Sequence, residues 1–168
     1  MNKIKIVLLC ISLLLSACAG VAGKDTRISD EVEVMWYTKG QIYTAAKAWI
    51  AEYLPPPKAT MGVDDREFGR IIGFVKTPYP CIPGPDCATK SSWLFGYTFE
   101  ITMENQKFSV ALSNLRLSYP AQRMPNGKDQ PAVDRPLTRE EIDSVARPAL
   151  SSLSQGLKLE VEKVAAIR

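Results

Sequence analysis

Carboxylates are the side chains that could do acid–base chemistry in this sequence, because it contains no histidine. Without an imidazole, the usual general base and the Ser-His and Cys-His nucleophile pairs are excluded. A pair of carboxylates can still hydrolyse a glycosidic bond. The candidates for such a pair are Glu100 or Glu104 with Asp64 or Asp65. These positions are better explained as solvated ones, so a histidine-independent hydrolase is an alternative and not the leading interpretation.

Asp64 and Asp65 also suggest a metal site, since adjacent carboxylates supply hard oxygen ligands. However, Asp64 to Glu67 has the composition of a charged turn, in which neighbouring acids are more often solvated. No second cluster of ligands with a recognisable spacing accompanies them. The sequence therefore gives no signature of a metal, nucleotide or other cofactor.

The first seventeen residues have the layout of a secretory signal. Lys3 and Lys5 precede an apolar run over residues 6–15, which is followed by Ser16 and Ala17. The run is about ten residues long, whereas a helix needs roughly twenty to cross a bilayer. We therefore expect export of the chain and no permanent membrane span.

Leu15-Ser16-Ala17-Cys18 resembles the lipobox of bacterial lipoproteins. The resemblance implies a signal peptide over 1–17, acylation of Cys18 as the new N-terminus, and a lipidated tether over 18–30. Two or more acyl chains anchor a protein where a single chain binds only marginally. Ala19 is not the Asp that resembles an inner-membrane retention signal, which implies the outer membrane, facing the periplasm. The alternative is an ordinary signal peptide with a chance cysteine.

Cys81 and Cys87 are then the remaining thiols of the mature chain, separated by Ile-Pro-Gly-Pro-Asp. In an oxidising compartment of the cell envelope we expect them to form a disulfide. So short a loop is stabilised by roughly 2 kcal/mol in the chain-entropy model, enough to pin a hairpin tip. Free thiols, a redox pair or half of a metal site remain alternatives, although the prolines forbid the helix that follows a redox motif.

The net charge of the mature chain bears on its partners. Removal of Lys3 and Lys5 lowers the formal charge from +3 to about +1. A nearly neutral domain outside the cytoplasm is not expected to bind nucleic acid. About 150 residues remain, which suits one domain with an ordinary core.

The segment before Pro55 predicts a strand and a helix. Val32, Val34 and Trp36 alternate with polar or smaller residues, as in a strand with one buried face. Thr38 then predicts a helix N-cap, and apolar residues recur at helical spacing up to Tyr53. On that stripe Trp49 and Tyr53 are more often core residues than a ligand-stacking pair. A second strand is predicted over 69–75.

The clearest pattern is an antiparallel pair over residues 93–119. Large apolar residues occupy every second position from Trp93 to Met103. A tight turn at Asn105-Gln106 sets up these predicted pairs: Glu104 with Lys107, Met103 with Phe108, Ile101 with Val110, and Phe99 with Leu112. The apolar phase then shifts, which predicts either a bulge near Ser113-Asn114 or the end of the strand. With the bulge, Tyr97 lies opposite Leu115 and Phe95 opposite Leu117.

The C-terminal third predicts a loop and then helix. Residues 120–137 contain four prolines and Asn126-Gly127, so they read as a surface loop or crossover. Thr138 with Glu141 forms a capping box, and an apolar helical stripe follows over 138–168. Pro148 and Gly156 are expected to kink or break that segment.

The run from Glu33 to Tyr119 resembles exported bacterial domains of unknown function that have a TATA-binding-protein-like fold. The resemblance lies in Gln41-Ile42-Tyr43 and the 48–52 segment on the helix, in Asp64-Asp65 with the 69–73 segment, and in the aromatic antiparallel pair. It implies an α+β domain over 31–119, with an antiparallel, mostly four-stranded sheet, helices on one face and the order β-α-β-β-β-α. The resemblance implies no DNA contact, because function resides in sites and not in folds.

The leading functional hypothesis is a non-catalytic binding or scaffolding module of the cell envelope. It would dock a protein partner or a hydrophobic ligand on the uncovered sheet face or along an exposed edge strand. A carboxylate hydrolase and a purely structural lipoprotein are the alternatives.

Overall fold

The computed structural model describes residues 26–54, 59–80, 87, 90–123 and 127–165. Eight strands occur in this part of the chain: β1 Ile28–Glu33, β2 Ala59–Asp65, β3 Arg70–Pro78, β4 Leu94–Glu104, β5 Lys107–Tyr119, β6 Gln122–Arg123, β7 Asp129–Gln130 and β8 Val133–Pro136. Helix α1 spans Lys39–Tyr53, helix α2 spans Arg139–Glu141, a π-helical turn spans Ile142–Ala146, and helix α3 spans Arg147–Ala165.

One antiparallel sheet of six strands forms the body of the domain. Its order is β1-β5-β4-β3-β2, and β8 pairs with the second half of β5. Helices α1 and α3 pack on the sheet and on each other. The architecture is the predicted α+β one, an antiparallel sheet with helices packed on it, although the sheet has six strands and not four.

The register of β4 and β5 agrees with the predicted one. All four predicted pairs are present, from Glu104 with Lys107 to Phe99 with Leu112. The register then shifts between Gly96 and Thr98, and Asn114 has a φ of +51°. The predicted bulge is thereby confirmed, because the extra residue restores Phe95 to its place opposite Leu117.

The start of the domain differs from the prediction at both ends of β1. The strand begins at Ile28, inside the segment predicted as tether, and ends at Glu33. Val34 is buried, but the side chain of Trp36 is 86% exposed in the following turn, so its prediction as a buried strand residue is wrong. The predicted capping box is present at Thr138, and Thr38 also forms one with Gln41.

Two regions contain strands that the sequence did not indicate. Strand β2 ends at Asp64-Asp65, so the charged turn begins only at Arg66. Between residues 120 and 137, which were predicted as a loop, the chain forms the β6–β7 ladder and then β8.

The C-terminal helix is irregular before Pro148 and continuous through Gly156. In the π-helical turn, the Arg147 N–H donates to the Ile142 carbonyl, five residues back. Gly156 does not break α3. A Cβ there would lie 2.9 Å from Trp49 Nε1, so the glycine allows the two helices to approach closely.

Among the described residues, no helix combines the length and the apolar character needed to cross a bilayer.

Candidate interaction surface

The sheet face turned away from the helices, here called the open face, consists mainly of small, polar and charged side chains, with Glu100 on its middle strand, β4. Five residues lie side by side across it, one on each of five strands: Val63, Ile72, Glu100, Ala111 and Ser29. This row results from the strict alternation of side chains along paired strands. The open face is thereby apolar towards β2 and small or polar towards β1.

Glu100 forms the electrostatic centre of the open face. Arg27 Nη1 donates to Glu100 Oε2 at 2.6 Å, and Arg70 Nε donates to Oε1 at 2.7 Å. Burial alone would raise the pKa of Glu100, but the hydrogen bonds and charges of Arg27 and Arg70 outweigh it and lower the pKa below its usual value. Glu100 is therefore an ionised structural acceptor at neutral pH, whereas a general acid needs a raised pKa.

Replacing Glu100 with glutamine is expected to destabilise the fold by about 1–2 kcal/mol at pH 7, since both arginines lose a charged acceptor but are half-exposed. The folded-state pKa is lowered, so the contribution of Glu100 is present above the unfolded value of about 4.3. It is lost as the pH falls through the folded pKa. Urea unfolding of the wild type and of Glu100→Gln should show different free energies of unfolding at pH 7, and this difference should disappear in acid.

Glu104→Gln is the control for that measurement, because Glu104 is 64% exposed and lies 3.5 Å from Lys107 at the hairpin end. We expect a change within about 0.5 kcal/mol. An equal loss in both variants would contradict the role of the Arg27–Glu100–Arg70 network.

Two of the acids predicted as possible catalytic partners, Asp64 and Glu100, lie on opposite faces of the sheet. The Asp64 carboxylate points to the helix side, where it accepts hydrogen bonds from Lys47 and from the Tyr43 hydroxyl. Both hydrogen bonds lower the pKa of Asp64, and the bond from Lys47 has the larger effect. Asp65 accepts from the Phe68 N–H at 2.9 Å and holds the turn. Since Glu100 lies on the open face, the structure does not bring it together with Asp64.

Strand β2 presents an apolar edge. In the described part of the chain it pairs with β3 alone. Its residues from Ala59 to Val63 include no charge and no proline, and Met61 and Val63 are 38% and 40% exposed. Natural proteins usually protect such an edge with charged residues, proline or a covering element. In the described part of the chain, Asp64 and Asp65 protect the C-terminal end of β2, and an irregularity in register between Met61 and Val63 is the protection observed along Ala59 to Val63.

A groove runs along this edge on the helix side, and apolar side chains extend past it on the open face. The groove has a volume of about 470 Å³ and is lined by Lys47, Ile50, Ala51, Leu54, Ala59, Thr60 and Met61. On the other side, the half-exposed Phe74 ring lies against Gly96, whose missing Cβ leaves room for it. A strand placed beside β2 would therefore find apolar contacts for both sets of its side chains.

The space between the helices and the sheet is filled. The void lined by Trp49, Leu54, Phe99, Ile101, Val110, Leu153 and Leu157 has no room for even a water molecule. Trp49 is buried there, as the sequence predicts, whereas Tyr53 stacks on it at 5.7 Å and remains half-exposed. The structure therefore does not support a ligand-binding site between the helices and the sheet at this place.

The residues beside the cysteine loop form an aromatic cluster. Trp93 stacks on Tyr119 at 4.8 Å and meets Tyr79 edge-on at 5.7 Å. Lys90 lies over the Tyr79 and Trp93 rings, and its N–H donates to the Cys87 carbonyl at 3.1 Å. The cluster and this hydrogen bond thus hold Lys90 beside Cys87. Cys81 and Cys18 lie outside the described residues, so their disulfide and lipid roles stay predictions.

Sequence reasoning missed an exposed apolar tip made of Met35, Trp36 and Phe68. Their exposures are 53%, 86% and 73%. Trp36 gave a misleading signal, because it continues the alternation of β1 beyond the end of that strand. Phe68 gave a usable one, since it is a lone aromatic in the charged turn after β2.

The described residues contain no group of three or more acidic, cysteine or histidine side chains placed to hold a metal ion.

Comparison with known proteins concerns the fold. Residues 29–118 match the family model described as "Domain of unknown function (DUF4468) with TBP-like fold". A TBP-like protein from Parabacteroides distasonis ATCC 8503 has a similar structure, with a TM-score of 0.53 at 16% identity over 89% of this chain and 93% of that one. A DUF4468 family protein from Bacteroides ovatus ATCC 8483 gives 0.50 at 14% identity over 88% and 91%. No curated protein matches.

Proposed function

Since the chain belongs to the DUF4468 family of domains of unknown function with a TBP-like fold, we propose that it is a non-catalytic binding module of the bacterial cell envelope. Lipid on Cys18 tethers it to the membrane, most consistently the outer membrane on its periplasmic side. The module docks an extended segment of a protein partner along β2. The Cys81–Cys87 disulfide pins the loop between β3 and β4 in that oxidising compartment.

The exposed edge of β2 is the observation that carries this function. An extended peptide that joins a sheet edge gains main-chain hydrogen bonds, and pockets for alternate side chains give specificity. Among the described residues, Ala59 to Val63 is an uncharged part of β2 that pairs with β3 alone, so its other side can receive an extended segment. An edge of this kind promotes association unless a specific partner covers it.

The side chains around the edge indicate the chemistry of the partner segment. Residues of the partner that point towards α1 would enter the groove between Ile50, Leu54 and Met61. Those that point to the open face would lie beside Val63 and the Phe74 ring. An extended segment with apolar residues on both faces fits these contacts, and a strongly charged one does not.

Site-specific photo-crosslinking in cells tests this assignment. A crosslinking amino acid at the exposed Thr60 is expected to give an adduct of discrete, larger mass. Met61→Lys with Val63→Lys should reduce that adduct about tenfold or more, because each buried apolar side chain contributes about 1.5–3 kcal/mol. The readout is the adduct fraction on denaturing gels, followed by mass spectrometry of the partner.

The matched control is the same crosslinker at Glu162, a half-exposed position on α3 far along the chain from β2. Identical adducts from both positions, or none from Thr60 in correctly localised protein, would count against docking along β2. An adduct of twice the chain's own mass would mean that two copies pair, and would replace the proposed partner with self-association.

A further inference from the structure

The apolar tip formed by Met35, Trp36 and Phe68 projects from one end of the sheet. At this end the β1–α1 connection, the β2–β3 turn and the β4–β5 hairpin come together, because the strands around them are antiparallel neighbours. Trp36 carries the highest exposure among the large apolar side chains of the described residues. Three large apolar side chains exposed at the same end of the sheet mark a candidate interaction site, whereas one alone would not.

The backbone holds Trp36 in a strained conformation. Its φ of +73° lies in the left-handed region, which costs a bulky residue about 1–3 kcal/mol. Hydrogen bonds on either side maintain it: the Val34 N–H donates to the Gln106 carbonyl, and the Gln106 N–H donates to the Tyr37 carbonyl, each at 2.8 Å. The surrounding structure therefore fixes Trp36 outwards.

The two loops that carry the tip are tied together. Lys39 Nζ donates to the Glu67 carbonyl at 2.6 Å, and the Lys39 N–H donates to Asn105 Oδ1 at 2.9 Å. The Met103 N–H donates to the Gly69 carbonyl at 2.7 Å. Phe68, between Glu67 and Gly69, is thus held on the same rigid end as Trp36.

The shape and charge of this end suit a lipid surface. Protruding single side chains require no complementary pocket in a bilayer, and tryptophan favours the interface between water and hydrocarbon. The charges on the three connections and on the residues that flank them balance, with four of each sign: Lys39, Arg66, Arg70 and Lys107 against Glu33, Asp65, Glu67 and Glu104. Apolar insertion, and not attraction to anionic lipid, is then the driving force.

The predicted anchor allows this contact. Ten residues from Cys18 to Arg27 span at most about 33–36 Å when extended. Strand β1, six residues long, covers about 20 Å between the tether and the tip. The tether is therefore long enough for the tip end to reach the bilayer that holds the lipid.

We infer that Met35, Trp36 and Phe68 insert into the interface of a zwitterionic lipid bilayer and so set the orientation of the domain on its membrane. This inference rests on the proposed membrane tethering. It leaves β2 facing sideways and accessible, because the tip occupies the end of the sheet and β2 its edge.

Depth-dependent fluorescence quenching tests the insertion. The processed, lipid-bearing full chain is reconstituted into phosphatidylcholine vesicles with bromine on the upper acyl carbons. We expect bromine to quench part of the tryptophan emission, and Trp36→Phe to abolish that quenched component. The other two tryptophans do not reach the bilayer in this orientation, because Trp49 is buried in the core and the partly buried Trp93 precedes the end of β4 that lies opposite to the tip. Phe68→Ser should weaken the quenching, and added salt should leave it unchanged.

Leu159→Ala is the matched control, because Leu159 is 67% exposed on α3 and away from the tip. It should leave the quenching unaltered. Protein that floats with the vesicles while Trp36 is quenched by aqueous iodide and not by bromine would overturn the inference and leave the anchor standing. Protein that does not float with the vesicles contradicts the lipid anchor instead. In that case bromine quenching is measured at high lipid concentration. Quenching of Trp36 would support insertion of the tip, and lack of quenching would overturn it.

Discussion

Replacing Cys18 with alanine is expected to move the protein from the membrane fraction to the soluble fraction of the envelope, or to leave it unprocessed with its leader attached. Each buried methylene of an acyl chain contributes about 0.8 kcal/mol, and two or more chains give stable attachment. Labelling with radioactive palmitate should be lost completely. The measurements are fractionation with a carbonate wash and the intact mass of the purified protein.

Cys10→Ala provides the control, since Cys10 lies in the apolar run of the leader and is expected to leave with it. That variant should still take up palmitate and remain with the membrane. A Cys18→Ala protein that stays in the carbonate-washed membrane would show that something other than acylated Cys18 holds it there. The proposed tethering through Cys18 would then have to be abandoned.

Replacing Gly73 with alanine is expected to destabilise the fold by about 1–3 kcal/mol, the usual cost of overpacking a core. A Cβ at Gly73 would lie 2.6 Å from Cε1 and Cζ of Phe99, whose ring is buried at the centre of the sheet, and 3.1 Å from the Thr60 carbonyl oxygen. The Thr60 backbone and the packed Phe99 ring cannot both move away to make room for the new methyl group. Urea unfolding monitored by circular dichroism measures the loss.

A second substitution separates the clash from other effects of the methyl group. Phe99→Leu removes the ring atoms that the new Cβ would meet, so the double variant should be more stable than the sum of the single losses by about 0.5–3 kcal/mol. Gly40→Ala is the control, because nothing lies within 4 Å of its Cβ position in α1 and alanine favours helix. Strict additivity, or an equal loss at Gly40, would disprove the close packing of Gly73 on Phe99.

The β4–β5 pair and α1 were predictable because their local patterns agree with their packing. From Phe95 to Met103 every second residue is large and buried, and the turn at Asn105-Gln106 fixes which residues face each other. Even the bulge followed from the sequence, since the apolar phase changes after Leu112. Register is strongly specified wherever one sheet face must be buried.

Strands β2 and β8 were not predictable in the same way. Strand β2 is an edge strand whose helix side carries Ala59 and Asp64 and whose open side carries Val63, so no alternation of large apolar residues marks it. Strand β8 lies between prolines and owes its existence to pairing with β5, a partner distant in sequence. Local patterns do not contain such tertiary pairing.

The sequence predicts that a sheet edge or an uncovered sheet face is available for binding, but it does not predict which strand forms that edge. An exposed edge and an uncovered face follow from any single sheet with helices on one side, but which edge is apolar depends on the strand order. The arginine pair on Glu100 joins residues 73 and 30 positions apart, and no local pattern predicts that contact.

The joining of the N-terminal segment to β1 also determines how the domain bears mechanical load. A pull transmitted through Arg27 acts on the first residue of a strand that is paired with β5 at six consecutive positions. Force along the strand axis shears these pairs together instead of peeling them one at a time, and Arg27 is further bonded to β4 through Glu100. Survival under sustained tension is then governed by the rate of unfolding and not by equilibrium stability.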